Sequence, residues 1–214
     1  MSFDAFEKLP VEKQARITAV GIEAFSQRTY QDVRTEAITK ACGISKGILF
    51  HYFGSKKGFY LHCLDRAMAC LTEETEPVTG TDFYEILFDQ MNRKMELCLR
   101  CRKEMLMVNM ASRDLSAEIA GEKESLLLKY NAGIRRGSLQ TLEQALAALK
   151  LKEDADKNLT AQGLYIYING LLNRYLVQYR YTPEAFFENS GSIREEMKAY
   201  LDLMLQGICY KEDL

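Results

Sequence analysis

Apolar residues recur at spacings of three and four along almost the whole chain, the period of helices that bury one face. Ile17, Val20, Gly21, Ala24 and Phe25 mark the first stripe, and Leu9-Pro10 opens its helix, since proline suits an early helical position. Arg28-Thr29-Tyr30 closes it. Ile38 and Cys42 share one face of a short second helix. Gly43 follows where a left-handed turn costs glycine least. Ser45 is placed to cap a third helix, which returns Leu49 and Tyr52 to the same core. Lys46, Gly47, Ile48, Phe50 and His51 are left facing outward. Two of these five are large and apolar, which suits a face covered by another surface rather than by water.

The pattern continues to the end of the chain. A fourth helix is predicted over 55–75, with Phe59, Cys63, Ala67 and Cys70 on one stripe and Pro77 and Gly80 as breakers. A second part starts near Thr81, where Phe83, Leu87, Met91, Met95 and Cys98 keep helical spacing. A short helix over 103–113 and a longer helical region over 116–150 follow, the latter either interrupted or closely packed at Gly121, Gly133 and Gly137. Residues 158–181 predict a helix about 36 Å long. Its stripes, Leu164, Ile168, Leu171, Tyr175 and Tyr179 beside Tyr165, Leu172 and Leu176, form an arc too wide for one partner helix. The last helix spans 192–209, with Ser192 and Glu195 as a capping box before Ile193, Met197, Leu201, Met204 and Ile208.

Composition agrees with an all-α protein. Three prolines in 214 residues leave helices room nearly throughout. Net charge is only −2, which excludes a general nucleic-acid glue. The charge is unevenly spread, however. Residues 26–60 carry six basic side chains against Asp32 and Glu36, whereas residues 61–214 carry 19 basic and 24 acidic ones. A basic head on an acidic body suits a reader of DNA whose remainder must not adhere to it. No secretion signal or membrane-length apolar run is found, so a soluble, cytoplasmic protein with reduced thiols is expected. Cys98 and Cys101 form a CxxC inside a helical pattern and read as small buried hydrophobes, with a redox sensor as the alternative. No catalytic constellation, metal cluster or cofactor motif stands out, so neither an enzyme nor a bound cofactor is expected. Five of nine methionines, at 91, 95, 105, 107 and 110, fall within twenty residues. Methionines adapt to irregular shapes, so these positions read as ordinary core or as the wall of an apolar ligand pocket. Asn109, Asn169, Asn173 and Arg174 are polar residues able to orient a ligand there or to face solvent.

The stretch Thr35 to Lys56 reads as a helix, a tight turn and a recognition helix. Lys46 suits a phosphate, Gly47 a close backbone approach, Ile48 and Phe50 thymine methyls or sugars, and His51 a phosphate or base edge. Ser55, Lys56 and Lys57 open the next helix as a second phosphate site. The run Gly43-Ile44-Ser45-Lys46-Gly47-Ile48-Leu49-Phe50-His51-Tyr52-Phe53, with Lys56 beyond it, resembles the recognition-helix signature of the TetR (tetracycline-repressor-like) family of bacterial transcription regulators. The resemblance covers about residues 12–66. It implies that Gly47, Ile48, Phe50, Tyr52 and Lys56 touch DNA and that Leu49 and Phe53 belong to the core. Ile48 stands where many members have Thr, Phe50 lacks the common Tyr hydroxyl, and Arg34 stands where a capping Ser or Thr is usual. The first two departures favour apolar or shape readout. The third leaves the cap to Thr35 or Asp32, or gives Arg34 its own phosphate.

The expected DNA-facing set is therefore Arg34, Thr35, Ser45, Lys46, Gly47, Ile48, Phe50, His51, Tyr52 and Lys56. The resemblance further implies a helix-turn-helix head over 1–54 and a larger ligand-binding and dimerisation domain over 55–214, with 55–76 as the linking helix. It implies a double-stranded operator, a homodimer through the helices 158–181 and 192–209, and a small-molecule effector held among Met91, Met95, Met105, Asn109, Met110, Tyr165, Asn169 and Asn173. The rival reading is a helical small-molecule-binding or thiol redox-sensing protein without specific DNA binding.

Overall fold

The computed structural model describes residues 4–73, 78–179, 183–206 and 208. Its regular structure is helical: α1 (Asp4–Glu7), α2 (Val11–Gln27), α3 (Thr35–Cys42), α4 (Lys46–Phe53), α5 (Lys56–Leu71), α6 (Phe83–Arg100), α7 (Arg102–Arg113), α8 (Ala120–Ala147), α9 (Lys157–Gln178), α10 (Pro183–Glu188) and α11 (Ser190–Leu205). Two compact units emerge, Met1–Glu74 with Leu97–Ala132, and Thr75–Glu96 with Gly133–Leu214. The first takes in α5, α7 and the start of α8 beside the helices expected over 1–54. No described helix is long and apolar enough to cross a membrane.

In the first unit, α2 packs on α3, α5 and α7, while α4 packs on α1 and α5. Ile17, Phe25, Ile38, Leu49, Phe59, Leu64, Met107 and Ile119 are buried in one continuous core. Gly21 permits a close approach of α2 and α5, since a Cβ there would lie 2.4 Å from Cys63 Sγ and 2.5 Å from the Phe59 ring. The short α1 has no counterpart in the sequence reading. Its Phe6 is buried against Phe53 and His62, with ring centroids 4.7 and 5.0 Å away.

A buried carboxylate ties the loop before α3 to the α7–α8 junction. Asp114, 4 % exposed, accepts hydrogen bonds from Tyr30 N at 2.5 Å and from Ser116 N and Oγ at 2.9 and 2.5 Å. Lys123, also buried, donates to the Asp114 carbonyl and, at 2.9 Å, to the Ala111 carbonyl. The Tyr30 hydroxyl donates to Glu118 at 2.6 Å. Burial pushes the Asp114 pKa up, but the hydrogen bonds from Ser116 and Tyr30, with the charge of Lys123, outweigh it and leave the group below its ordinary value.

The second unit has its own core, built from Phe83, Ile86, Leu146, Leu164, Tyr175, Met197 and Leu201. The Tyr175 hydroxyl donates to Glu196 at 2.6 Å. Arg174, a candidate for orienting a ligand, pairs instead with Glu196 and donates to the Tyr200 hydroxyl at 3.1 Å. Lys152 N donates to the Ile208 carbonyl at 2.9 Å, tying the α8–α9 connection to the end of α11.

Several expectations are corrected. α8 runs unbroken through Gly133 and Gly137, and a Cβ on either would meet nothing. Ser192 lies inside α11, whose N-cap is Asn189, so the Ser192–Glu195 capping box does not form. α10 was not foreseen. Cys101 is not a reduced thiol; it is joined to Cys70 in a disulfide, and Cys98 stands outside that bond. Pro77, residues 180–181 of the predicted ninth-helix stretch and Cys209 lie outside the described residues, as does the side chain of Leu176.

Asp114→Ala is expected to destabilise the protein by about 3 kcal/mol, because the Tyr30 amide and Ser116 lose a buried acceptor and Lys123 keeps its backbone partners but loses the nearby opposite charge. The depressed carboxyl pKa fixes the sign of the pH dependence. Its contribution is present above the ordinary carboxylate range and is lost as pH falls through the lower folded-state value. Urea titrations of both proteins at neutral and acid pH check this, and equal stability at neutral pH would remove Asp114 from its central place.

Candidate nucleic-acid interface

The outward face of α4 is set by two caps and a turn. Gly43 closes α3 at φ 65°, in the left-handed region, where a side chain is strained. The Ser45 side chain accepts from Ile48 N at 3.2 Å and starts α4. Leu49 and Phe53 point inward and are buried. Gly54, at φ 73°, turns the chain into α5, where Ser55 Oγ accepts from Gly58 N at 3.0 Å. A Cβ on Gly58 would fall 2.0 Å from the Phe53 carbonyl oxygen. Glycine there lets the α4–α5 turn close.

Arg34, Ser45, Lys46, Gly47, Ile48 and His51 are exposed, so six expected positions are accessible. Ile48 is 41 % exposed, a large apolar side chain presented to solvent. The other four differ. Phe50 is half-buried against the core, as is Tyr52, whose ring meets Phe6 edge-on. Lys56 is half-buried, with its ammonium 4.5 Å from the Tyr30 ring centroid and donating to the Gln31 carbonyl at 3.4 Å. Burial lowers its pKa, against the raising influence of Glu118, Asp32 and Asp114. Thr35 departs furthest: its side chain is buried, so it does not join the outward surface. Neither Thr35 nor Asp32 caps α3. Arg34 holds the N-cap position without a side-chain cap, and Asp32 accepts from the Thr29 hydroxyl at 2.6 Å.

Electrostatics qualify the basic face. Lys46 pairs with Glu36 at 2.7 Å and stands 5.7 Å from the Phe50 ring centroid. The hydrogen bond from Lys46 holds the Glu36 carboxyl below its ordinary pKa. Lys57 pairs with Glu122 at 2.6 Å. Residues ten and 65 apart give no helical spacing, so sequence periodicity could not pair these charges. Both pairs are accessible and individually weak, so a phosphate can compete for either lysine.

The expected effector residues fall in both units. Met105, Asn109 and Met110 belong to the first unit, and Met91, Met95, Tyr165, Asn169 and Asn173 to the second. The three asparagines are exposed, and the Asn169 amide donates to the Tyr165 carbonyl of its own helix at 2.7 Å. A groove of about 330 Å³ in the first unit is lined by residues outside that set, among them Phe6, Gln14, His62, Arg66 and Glu104. There, burial lowers the His62 pKa from 6.5 to about 4, with help from Arg66.

Residues 17–63 match the bacterial regulatory proteins of the tetR family. The chain carries a TetR-family N-terminal domain. Its fold extends the likeness over nearly the whole length. A TetR-family transcriptional regulator from Chloroflexus aurantiacus J-10-FL is 22 % identical, with a TM-score of 0.60 over 97 % of this chain and 98 % of that one. The regulatory protein TetR from Rhodobacter sphaeroides is 17 % identical, with a TM-score of 0.59 over 86 % and 97 %. NalD, the secondary repressor of the MexAB-OprM multidrug efflux pump in Pseudomonas aeruginosa, is 17 % identical, with a TM-score of 0.54 over 94 % and 97 %. A search of curated proteins gives no match.

Gly58→Ala is expected to cost about 1–3 kcal/mol, since a methyl group would press on backbone at the α4–α5 turn. Thermal unfolding reads it, and an unchanged midpoint would show that the turn yields freely.

Proposed function

We propose that the protein is a ligand-responsive transcriptional regulator that binds a partly palindromic operator as a homodimer and is released by a small, largely apolar effector. The observation that carries this reading is the α4 surface, where Lys46, Gly47, Ile48 and His51 lie exposed on a helix fixed by its Ser45 cap. Solvent alone gives no reason for Ile48 to be there, whereas a major groove offers thymine methyls. Arg34, Lys46, Lys56 and the start of α5 are suited to flanking phosphates. Phe50 and Tyr52 serve as supports of that face more than as its tips. Such a reader works in the cytoplasm, beside the chromosome.

Dimerisation is supported by α9 and α11. Leu159, Ile166 and Val177 on α9 and Leu203 on α11 are all more than half exposed. On α9 the spacings of seven and eleven keep these side chains on one helical face. A two-fold dimer would set two α4 helices about 34–36 Å apart, one turn of DNA. An effector that favours a different head spacing then releases the operator by differential affinity. Met91 and Met95, both half-buried, are suited to the wall of its site. Repression is the output favoured, because occupancy of a promoter suffices to block it, and NalD, of like fold, is a repressor. The second reading, a thiol redox protein without specific DNA binding, is favoured by the Cys70–Cys101 bond. Selection from a random duplex library separates the two, since only the regulator enriches an inverted repeat.

On the selected duplex, Lys56→Ala is expected to weaken binding to all sequences and to reduce the salt slope by about one. An unchanged slope would take Lys56 out of the phosphate contacts. Ile166→Glu is expected to raise the dimer dissociation constant at least about 100-fold, because each copy would bury an unpaired carboxylate. Sedimentation velocity reads this, and an unaltered dimer would put the interface elsewhere.

A further inference from the structure

We propose that Cys70 and Cys101 are a reversible dithiol oxidised by hydroperoxides, whose closure fixes α5 against α7 and thereby alters the DNA affinity of the head. Cys70 lies in the last turn of α5, and Cys101 is the residue at which α6 ends and α7 begins. They are 31 residues apart and bonded to each other. The bond therefore reports the packing of α5 on α7 and not a local turn. α5 packs on α7 in the core of the head, with Ala67, Met68, Met107 and Ala111 buried there, and this does not depend on the redox state; two exposed ion pairs lie nearby. Glu73, just beyond α5, meets Arg100 at 2.7 Å, and Glu23 of α2 meets Lys103 at 2.5 Å. Reduction thus leaves the two thiols close enough to bond again. Cys70 is half-buried whereas Cys101 is buried, so Cys70 is the sulfur a small peroxide reaches first. Cys42 and Cys63 are buried in the core of the head, where a peroxide does not reach.

The chemistry closes on itself. The Cys70 sulfur attacks one hydroperoxide oxygen and the O–O bond breaks. This leaves a sulfenic acid on Cys70, and the departing oxygen takes the thiol proton as water or an alcohol. The Cys101 sulfur then attacks the Cys70 sulfur, the S–O bond breaks, and hydroxide leaves as water with the Cys101 proton. Two electrons pass from the sulfurs to the peroxide. A dithiol reductant reverses the step by exchange. The consequence reaches DNA along one rigid element. α5 begins at Lys56 after its Ser55 cap, next to α4, and carries the bonded Cys70 in its last turn, so tethering its far end restricts how it carries the head.

The effect on DNA rests on the function proposed above, but the bond and its effect on α5 do not. The full-length protein would be treated with hydrogen peroxide or with dithiothreitol and read in three ways: disulfide mapping by mass spectrometry, amide hydrogen exchange, and affinity for the selected duplex. A Cys70–Cys101 peptide is expected with peroxide and is lost with dithiothreitol, unchanged by Cys98→Ser. Exchange at the end of α5 and the start of α7 should slow about tenfold on oxidation, as expected where local opening is suppressed. Duplex affinity should change at least about threefold and return on reduction. Cys70→Ser should abolish all three responses; iodoacetamide capping of the reduced wild type provides the same block if that variant does not fold. Absence of the linked peptide, or a link that leaves exchange unchanged, overturns the switch. A link that slows exchange but leaves affinity alone overturns its control of DNA binding. Failure of both redox forms to select any duplex overturns the proposed function, while mapping and exchange still decide whether the switch exists.

Discussion

The arrangement of the head depends on one buried carboxylate. A charged group out of water is tolerated only where hydrogen bonds replace hydration. Asp114 meets this condition by taking donors from two places, its own junction through Ser116 and the α2–α3 connection through Tyr30 N. Its backbone carbonyl in turn helps to satisfy the buried ammonium of Lys123. No part of this network is stable alone, because removing one partner strands the others. The loop that delivers the chain into α3 is therefore fastened to α7 and α8, and the helix-turn-helix is braced from behind.

That bracing explains why the compact unit is larger than three helices. The core that buries Leu49 and Phe53 also includes Met107, Ala111 and Ile119. α5 lies in the same core. Its first turn is held by Gly58 pressed on the Phe53 carbonyl, and its middle by Cys63 and Phe59 pressed on Gly21. These contacts are backbone-close and leave little slack. A displacement of α5 must therefore move α4 or open the core, which gives any event at the far end of α5 a route to the outward face.

The local elements were legible in the sequence because they rest on local rules. Helical spacing set α2, α3, α4 and α5 to within a few residues, and Gly43 and Ser45 announced the turn and the cap of α4. What was illegible was long-range. Asp114 and Tyr30 are 84 residues apart, and nothing in either stretch signals a buried carboxylate. Cys70 and Cys101 could be counted but not paired, and the CxxC spacing drew attention to Cys98 instead. α1 and α10, of four and six residues, are too short to show a period. The burial of Thr35 and the partial burial of Phe50 were illegible because they are decided by neighbours from elsewhere in the core rather than by the spacing within one helix. The methionines 91, 95, 105, 107 and 110 read equally as core or as a pocket wall, because side-chain chemistry alone does not say which residues meet.

Under the proposed DNA-reading function, the face offered by α4 is a compromise between two demands. A groove-reading surface needs exposed apolar and cationic groups, both of which invite non-specific association. Ile48 is left bare, but the cation beside it is not. Lys46 is paired with Glu36 across the turn and sits near the Phe50 ring, and Lys57 is paired with Glu122. Phosphates can displace these carboxylates because the pairs are solvated and weak, while a neutral or acidic surface has nothing to offer in exchange. The acidic partners thus tax every encounter equally, and a site that also satisfies Ile48 and the exposed His51 returns more than a run of phosphates does. On that reading, selectivity would come from the offset between a screened charge at Lys46 and an unscreened apolar tip at Ile48.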